Sequence, residues 1–476
     1  MTDQEPVDIA AVIDAAPFSA LLLWVTLLSY LIMIIDGFDL QAMALAAPAV
    51  AASWNLKREL LGPVLAASLV GMGLGSVALG WFGDRRGRKT SFCVCIAILS
   101  LGSLMCGCAT SLSQLVLFRF ITGVGLGGAA PLATSLVAEW MPRRWRSVAV
   151  AVVIAAIPLG GMLGAALSQR IIPAYGWRSV FLLGGVFPLA LLAVAIVQLP
   201  ESPRYLAGRT DKRAALARCL NRLGDGQRFT SADRFFVAER ELPAADGLKS
   251  LVSAPYLRTT LLLWLAFACN TLALYGFVNW LPIVLSSAGQ SLSSALHGSF
   301  LFNCGGIVGA IVGSVLISFF GSRRVGTSFA FIGSVAALFI GLSMAAVGHG
   351  GGMGARLFPL VAVAGVCLNG MQVFLYPVAA HSYPTIIRAS GVGCASGVAR
   401  IGGVLSSVVG SAVFALGLSV GDFFFILAAI ILVTAVSFFA LRSHIPGRNS
   451  DPSRAATPGR GRWTRLHSLA RRGAGR

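Results

Sequence analysis

The chain has 476 residues, 56% of them hydrophobic and only 12% charged, with a net charge of +19 and a mean hydropathy of +0.81. Soluble domains are about 25% charged, so this composition excludes an ordinary soluble protein and points to a polytopic membrane protein. The basic excess sits in alternate loops rather than in one patch, so no nucleic-acid partner is expected.

The N-terminus carries Asp3, Glu5, Asp8 and Asp14 instead of a basic segment, and the apolar run after it is too long for a secretory signal. That run extends from Phe18 to about Val50 and contains Asp36 and Asp39. A bilayer core of ~30 Å takes ~20 apolar residues to cross as a helix, and an acid near its centre costs ~2.5 kcal/mol or more. Two acids three residues apart project from one helix face, and Gly37 between them lets a backbone or ligand come close. Neighbouring Ser or backbone groups could satisfy them, but intramembrane acids are functional by default.

Further apolar runs fall near 60–82, 90–109, 112–140, 147–172, 177–199, 258–287, 295–320, 327–348, 355–382, 389–417 and 420–441. The expected fold is an all-α membrane protein whose twelve transmembrane helices form two pseudo-symmetric six-helix bundles. The expected boundaries are 1–17 for the N-terminus, 18–199 and 258–442 for the bundles, 200–257 for the central loop and 443–476 for the tail. The central loop could hold short amphipathic helices. The Arg-, Gly- and Ser-rich tail reads as disordered and close to the membrane. Arg85, Arg86, Arg88 and Lys89 follow the second run, Arg143, Arg144 and Arg146 the fourth, and Arg323 and Arg324 the eighth. Positive loops stay in the cytoplasm, which places both termini on the cytoplasmic side of the membrane and favours anionic lipid headgroups. Eight of nine cysteines lie within runs and show no metal spacing; no cofactor or metal is expected.

The two halves look duplicated. Phe82-Gly83-Asp84-Arg85-Arg86 recurs as Phe320-Gly321-Ser322-Arg323-Arg324. Glu139-Trp140-Met141-Pro142 with Arg146 recurs as His381-Ser382-Tyr383-Pro384 with Arg388. Parallel repeats of this kind describe a large transporter class with its site at midplane between the halves. Gly71, Gly73 and Gly75, Gly123 to Gly128, and Gly160, Gly161 and Gly164 form small-residue faces that let helices pack closely and slide. None is a phosphate loop, so a gradient or the substrate itself must supply the energy.

Gly80-Trp-Phe-Gly83-Asp84-Arg85-Arg86-Gly87-Arg88-Lys89 resembles the loop motif of the major facilitator superfamily, and the resemblance covers nearly the whole chain. It implies that Asp84 and Arg88 lock and release the cytoplasmic face during alternating access; Arg388 is a further gating candidate. Asp36-Gly37-Phe38-Asp39, Arg119 with Gly123 to Gly128, Tyr383 to Gly393 and Arg400-Ile-Gly402 are similar to the aromatic acid:proton symporters of that superfamily. Pro200-Glu201-Ser202-Pro203-Arg204 is shared with sugar porters and discriminates little. Gln41 departs from the small residue expected there, and Ser322 stands where an acid would complete the repeat.

At ~1.5 Å per residue, Asp36 and Asp39 lie roughly 16–21 Å below a helix end near Val50, Arg119 roughly 10 Å below the outer start of its helix, and Arg400 roughly 18 Å above the cytoplasmic edge. All sit near midplane. An organic anion carried with protons suits this set, because a guanidinium matches a carboxylate bidentately and burial disfavours a carboxylate's charged form. Asp36, Asp39 and Glu139 are the candidates for proton coupling; Arg400, Arg119 and Asp39 are the candidates for holding substrate. Arg119 reads first as a partner of the acids, with which it shares a half, and Glu139 equally as an interface residue. Phe38, Tyr275, Trp280 and Phe374 could stack a ring or simply pack. The expected function is import of an aromatic or related small organic acid with protons, by a monomer that is not an enzyme. The alternatives are a sugar or metabolite symporter, a drug:proton antiporter and a non-transporting receptor.

Overall fold

The computed structural model describes residues 7–17, 19–207, 209–223, 229–230, 233–236, 251–347, 357–384 and 387–448. The remainder of the central loop, and the tail from 449 on with its expected disorder, lie outside the described residues. Among the described residues, twelve helices are long and apolar enough to cross a membrane. They are α1 (Ala20–Trp54), α2 (Leu61–Arg86), α3 (Arg88–Gly107), α4 (Leu112–Trp140), α5 (Arg143–Tyr175), α6 (Arg178–Gln198), α7 (Ala254–Ser287), α8 (Leu292–Phe320), α9 (Ser322–Val347), α10 (Leu357–Ser382), α11 (Arg388–Ala415) and α12 (Val420–Ala440). In lipid a spanning helix satisfies its backbone internally, so the apolar runs become helices throughout.

Local chemistry sets where the helices begin and end. Side chains of Ser111 and Ser291 cap α4 and α8, and Ser419 with Asp422 forms a capping box on α12. Helix α1 runs past Pro48 and stops at Asn55, which turns left-handed at φ 49°. Asp39 and Asp36 therefore lie about 22–27 Å from that end, deeper than a helix ending at Val50 would place them.

The strongest packing pairs repeat between halves: α1 with α5, α2 with α4, α3 with α4 and α3 with α6 match α7 with α11, α8 with α10, α9 with α10 and α9 with α12. The pairs that join the halves, α5 with α8, α2 with α11 and α1 with α7, map onto one another under the same exchange, as a pseudo-twofold axis requires. Glycines make the closest pairs possible. A Cβ on Gly71, Gly75, Gly123 or Gly127 would strike the partner backbone across the α2–α4 seam, whereas Gly73 faces open space.

The register of one repeat is corrected by the helix ends. Gly87 caps α2 at φ +106° and Gly321 caps α8 at φ +82°, a conformation that glycine adopts without strain. Gly87 is therefore the counterpart of Gly321, and Gly83 lies inside α2. Arg88 then corresponds to Ser322, four residues from the register that the Phe-Gly-x-Arg-Arg match suggests. The second repeat holds in its bonds: Arg146 donates to the Met141 carbonyl at 3.3 and 3.2 Å, and Arg388 Nε to the Tyr383 carbonyl at 3.4 Å.

The two ends of the bundle differ. We call the end that carries the α2–α3, α4–α5 and α8–α9 turns the basic end, and the opposite one the neutral end. At the neutral end one apolar core joins both halves, running from Ala42 to Val50 in α1 through Phe277, Trp280 and Phe302 to Phe424. At the basic end each half keeps its own core. The first of these also contains the N-terminal helix Ile9–Ala15 and helix Arg213–Asn221 of the central loop. The two halves are thus joined at the neutral end and parted at the basic end.

Candidate functional site

Between the halves lies a cavity of about 170 Å³. The N-terminal half lines it with Leu40, Leu69, Met72, Leu126, Gly127, Ala130 and Ile157, an apolar wall broken by Asp36. The C-terminal half supplies Thr271 and Tyr275 from α7, Gln372 and Tyr376 from α10, and Ser396 and Arg400 from α11. All three pairs are four residues apart, the spacing that sets side chains on one helix face. Asp36 is only 4% exposed, and its Oδ1 has no hydrogen-bond partner among the described residues. Arg400 Nη1 donates to the Met72 carbonyl of the other half at 3.0 Å. Gly37 and Gly160 allow α1 and α5 to touch backbone to backbone beside Asp36, since a Cβ on either would meet the other helix.

Asp39 has a different environment. It is fully buried and Arg119 is 1% exposed, with Arg119 Nη1 2.9 Å from Asp39 Oδ2. Arg119 Nη2 reaches the Asp39 carbonyl at 3.1 Å and Ser68 Oγ at 3.3 Å, and the Ser103 hydroxyl lies 3.0 Å from Asp39 Oδ1. Arg119 Nε has no partner among the described residues, while the Phe181 ring lies 5.9 Å from the guanidinium carbon, within cation–π range. Neither residue lines the cavity. Three residues along a helix are about 300° of rotation, leaving the two side chains about 60° apart; that angle sends Asp36 to the interface and Asp39 into the N-terminal half.

Glu139 is twenty residues beyond Arg119 on the same helix, about 30 Å away, at the basic end. There Arg88 Nη1 lies 2.5 Å from Asp84 Oδ1 and its Nε 3.3 Å from Glu139 Oε1. Glu139 also accepts from Ser135 at 3.0 Å and from the Ser202 hydroxyl. Glu201 accepts from the Lys89 backbone at 2.9 Å. The segment after α6 thus clamps the start of α3. In the second half the segment after α12 does the same to α9: Ser322 N donates to the Ile445 carbonyl and Ile445 N to Ser322 Oγ, both at 2.9 Å. His444 Nδ1 lies 3.3 Å from Ser322 Oγ, and burial holds this imidazole below its usual pKa. One clamp is charged and the other is built from neutral hydrogen bonds. Arg388 opens α11.

The sequence model of the Major Facilitator Superfamily matches residues 29–358. The chain belongs to the Major Facilitator Superfamily. It is 36% identical over 440 residues to a gallate transporter of Pseudomonas putida, covering 91% of this chain and 95% of that one. It is 34% identical over 438 residues to the 4-hydroxybenzoate transporter PcaK of Pseudomonas aeruginosa, covering 92% and 95%. Among solved structures, a D-xylose-proton symporter matches with a TM-score of 0.68 at 19% identity, over 90% of this chain and 98% of that chain. A bacterial homologue of the human lysosomal transporter Spinster gives the same TM-score at 16% identity, over 89% and 98%. These likenesses establish the fold.

As a major facilitator, the chain has its cavity where the two bundles meet, near midplane, as in other transporters built from parallel repeats. Of the charged residues singled out from sequence, Asp36 and Arg400 share the cavity, Asp39 and Arg119 form the sealed pair, and Asp84, Arg88 and Glu139 form the clamp. Tyr275 lines the cavity, whereas Phe38, Trp280 and Phe374 lie in apolar cores. Sequence reading missed Thr271, Gln372, Tyr376 and Ser396, and gave Glu201 and Ser202 no role beyond a shared motif. Gln372 and Thr271 carried a signal, being polar residues in the middle of apolar runs, where side-chain hydrogen bonds between helices are expected.

Proposed function

We propose that this protein is a proton-coupled carrier that moves an aromatic carboxylate through the inner membrane by alternating access. The observation that carries this reading is the cavity wall: a guanidinium on one half faces an unpartnered carboxylate on the other, among aromatic and apolar side chains. The names of the relatives, gallate and 4-hydroxybenzoate transporters, supply the chemical class. The cavity volume is below the ~300–1,000 Å³ of pockets for drug-sized ligands, the scale of a single-ring acid. By the positive-inside rule the basic end is cytoplasmic, both termini are inside, and the form described here opens inward. We take the monomer as the working unit, with anionic headgroups around its basic end.

Arg400 offers the substrate carboxylate a bidentate partner, in competition with the Met72 carbonyl that it holds in this form. Asp36 takes up and releases the proton. Asp36 and Arg400 line the same cavity, so arrival of an anion at Arg400 changes the field at Asp36 and couples binding to protonation. Asp39, matched by Arg119, keeps the N-terminal half's own charge balanced.

The test is uptake of labelled benzoate and 4-hydroxybenzoate into proteoliposomes with an imposed pH gradient. Wild type accumulates one or both. Asp36→Asn keeps exchange of substrate across the membrane but loses accumulation, and normal accumulation by this variant would sink the proton assignment. Arg400→Lys keeps the charge but loses the planar fork, and weakens a carboxylate by about 1.5–3 kcal/mol while leaving its neutral amide unaffected.

A further inference from the structure

The C-terminal wall of the cavity contains a neutral hydrogen-bond network with a defined direction. Asn270 Nδ2 lies 3.4 Å from the Leu368 carbonyl and 2.8 Å from Gln372 Oε1. A carbonyl only accepts, so the Leu368 contact fixes which end of the Asn270 amide faces Gln372. That end is a donor, and it fixes Gln372 in turn. Gln372 Oε1 also receives the Thr271 hydroxyl at 3.2 Å. With its oxygen held by two donors from α7, Gln372 presents its Nε2 group as the free end. No partner for Nε2 occurs among the described residues, and Gln372 lines the cavity.

The level of this donor matters. Gln372 is ten residues from the basic end of α10 and Arg400 twelve from that of α11, about 15 and 18 Å along their helices. A charged donor and a neutral, immobilised donor therefore stand at nearly the same depth on adjacent faces of one cavity. A ligand that satisfies both carries a carboxylate and, elsewhere on its ring, an oxygen that accepts.

We propose that Gln372 is the specificity residue for ring substitution: its Nε2 donates to a hydroxyl or methoxy oxygen on the ring of an acid whose carboxylate is held at Arg400. Asn270 and Thr271 are positioning residues that keep the amide from turning. The inference rests on the aromatic-acid reading above. An unsubstituted ring leaves the amide unpaired in a partly buried site, and a site built to hydrogen-bond a substituent discriminates against the analogue that lacks it.

The experiment is equilibrium binding of benzoate and 4-hydroxybenzoate, with 3-hydroxybenzoate and 4-methoxybenzoate alongside, to the full-length protein in lipid nanodiscs. Wild type is compared with Gln372→Met and Gln372→Glu. Methionine keeps the length and removes the donor; glutamate keeps an acceptor for Asn270 and Thr271 and also removes the donor. The readout is the ratio of affinities for the oxygen-bearing acid and benzoate, so any general loss from the added charge cancels. Wild type should prefer at least one oxygen-substituted acid by fivefold or more, and both variants should bring that ratio to within twofold of one. A wild-type ratio near one for every substituted acid, or a preference that survives in both variants, overturns the assignment. If wild type binds none of the four acids, the aromatic-acid reading itself fails and the assignment goes with it.

Discussion

The neutral and basic ends of this carrier use the same kinds of residue to opposite effect. At the neutral end, side chains of both halves share one apolar core, and beside bonds within the first half, such as Trp177 Nε1 to Ser53 Oγ, there are polar bonds that cross between halves. Gln41 and Asn303 exchange amide bonds at 2.8 and 2.9 Å, and Ser411 Oγ donates to the Glu59 carbonyl at 2.6 Å. At the basic end the cores are separate, and the polar clamps of Arg88 and of Ser322 each stay within one half. A machine that alternates must be able to exchange these roles. The structure thus separates contacts that hold the present form together from contacts within a half that do not depend on it.

The sharpest way to break that comparison is to attack the most deeply sealed pair. Arg119→Ala would leave Asp39 buried and unmatched, and removing one partner of a buried pair costs about 3–5 kcal/mol. We predict loss of folded, inserted protein, measured as a fall in monodisperse yield and melting temperature. If Arg119→Ala is as stable as wild type, the sealed pair contributes nothing to the half's integrity.

The next test separates holding the halves together from folding them. Gln41→Leu leaves Asn303 Oδ1 without its donor only while the neutral end is closed, since Nδ2 keeps the Ser299 carbonyl; the penalty is about 1–3 kcal/mol, and hydration relieves it when that end opens. Gly161 lies tight against both amides, where a Cβ would crowd them, so the pair has no room to rearrange while closed. We predict that Gln41→Leu shifts distances between spin labels on the α3–α4 and α7–α8 turns toward an open neutral end. The double variant Gln41→Leu with Asn303→Leu should return toward wild type, because no buried amide is then left unpaired. Equal distance distributions in wild type and the single variant would remove this pair from the closure.

The sequence made the helices legible and left their facing obscure. Runs of about twenty apolar residues are enough to place twelve spans, and acids within them are conspicuous at once. Helix α1 outran its expected end near Val50 by about one turn, because it closes only where Asn55 turns left-handed. The depth of Asp36 and Asp39 could be read from the chain, but a 60° difference in azimuth separates the cavity from the sealed interior, and helix azimuth depends on which neighbours pack. Gln41 stood out as a departure, yet Asn303 lies 262 positions away, and nothing local pairs α1 with α8. The repeat register slipped because charge composition matched Gly83 to Gly321, while a positive φ is what defines the turn. Neutral amides such as Gln372 drew no attention beside charged residues, although in a dry wall a fixed amide carries as much direction as a charge.

The smallest expected effect lies at the basic end, in Asp84. Its side chain is 66% exposed, and Arg88 keeps Glu139 when the Asp84 carboxylate is removed. A solvent-exposed pair of this kind contributes about 0–1 kcal/mol, so Asp84→Asn should fold and melt like wild type. The Asp84 contact is nevertheless the outermost bond of the charged clamp, and the loop motif it belongs to is implied to open and close with each cycle. We therefore predict slower uptake by Asp84→Asn, with equilibrium affinity for the substrate unchanged within about twofold, since the residue is far from the cavity wall. Glu139→Gln is the internal control: Glu139 is only 10% exposed and bonds to both Arg88 and Ser202, so its loss should lower stability as well as rate. Paired measurements of uptake rate and binding on both variants decide the matter. If Asp84→Asn weakens binding tenfold while the rate of conformational exchange is unchanged, the exposed pair serves the site and not the gate, and the two ends of the carrier are not the independent devices that their separate bonds suggest.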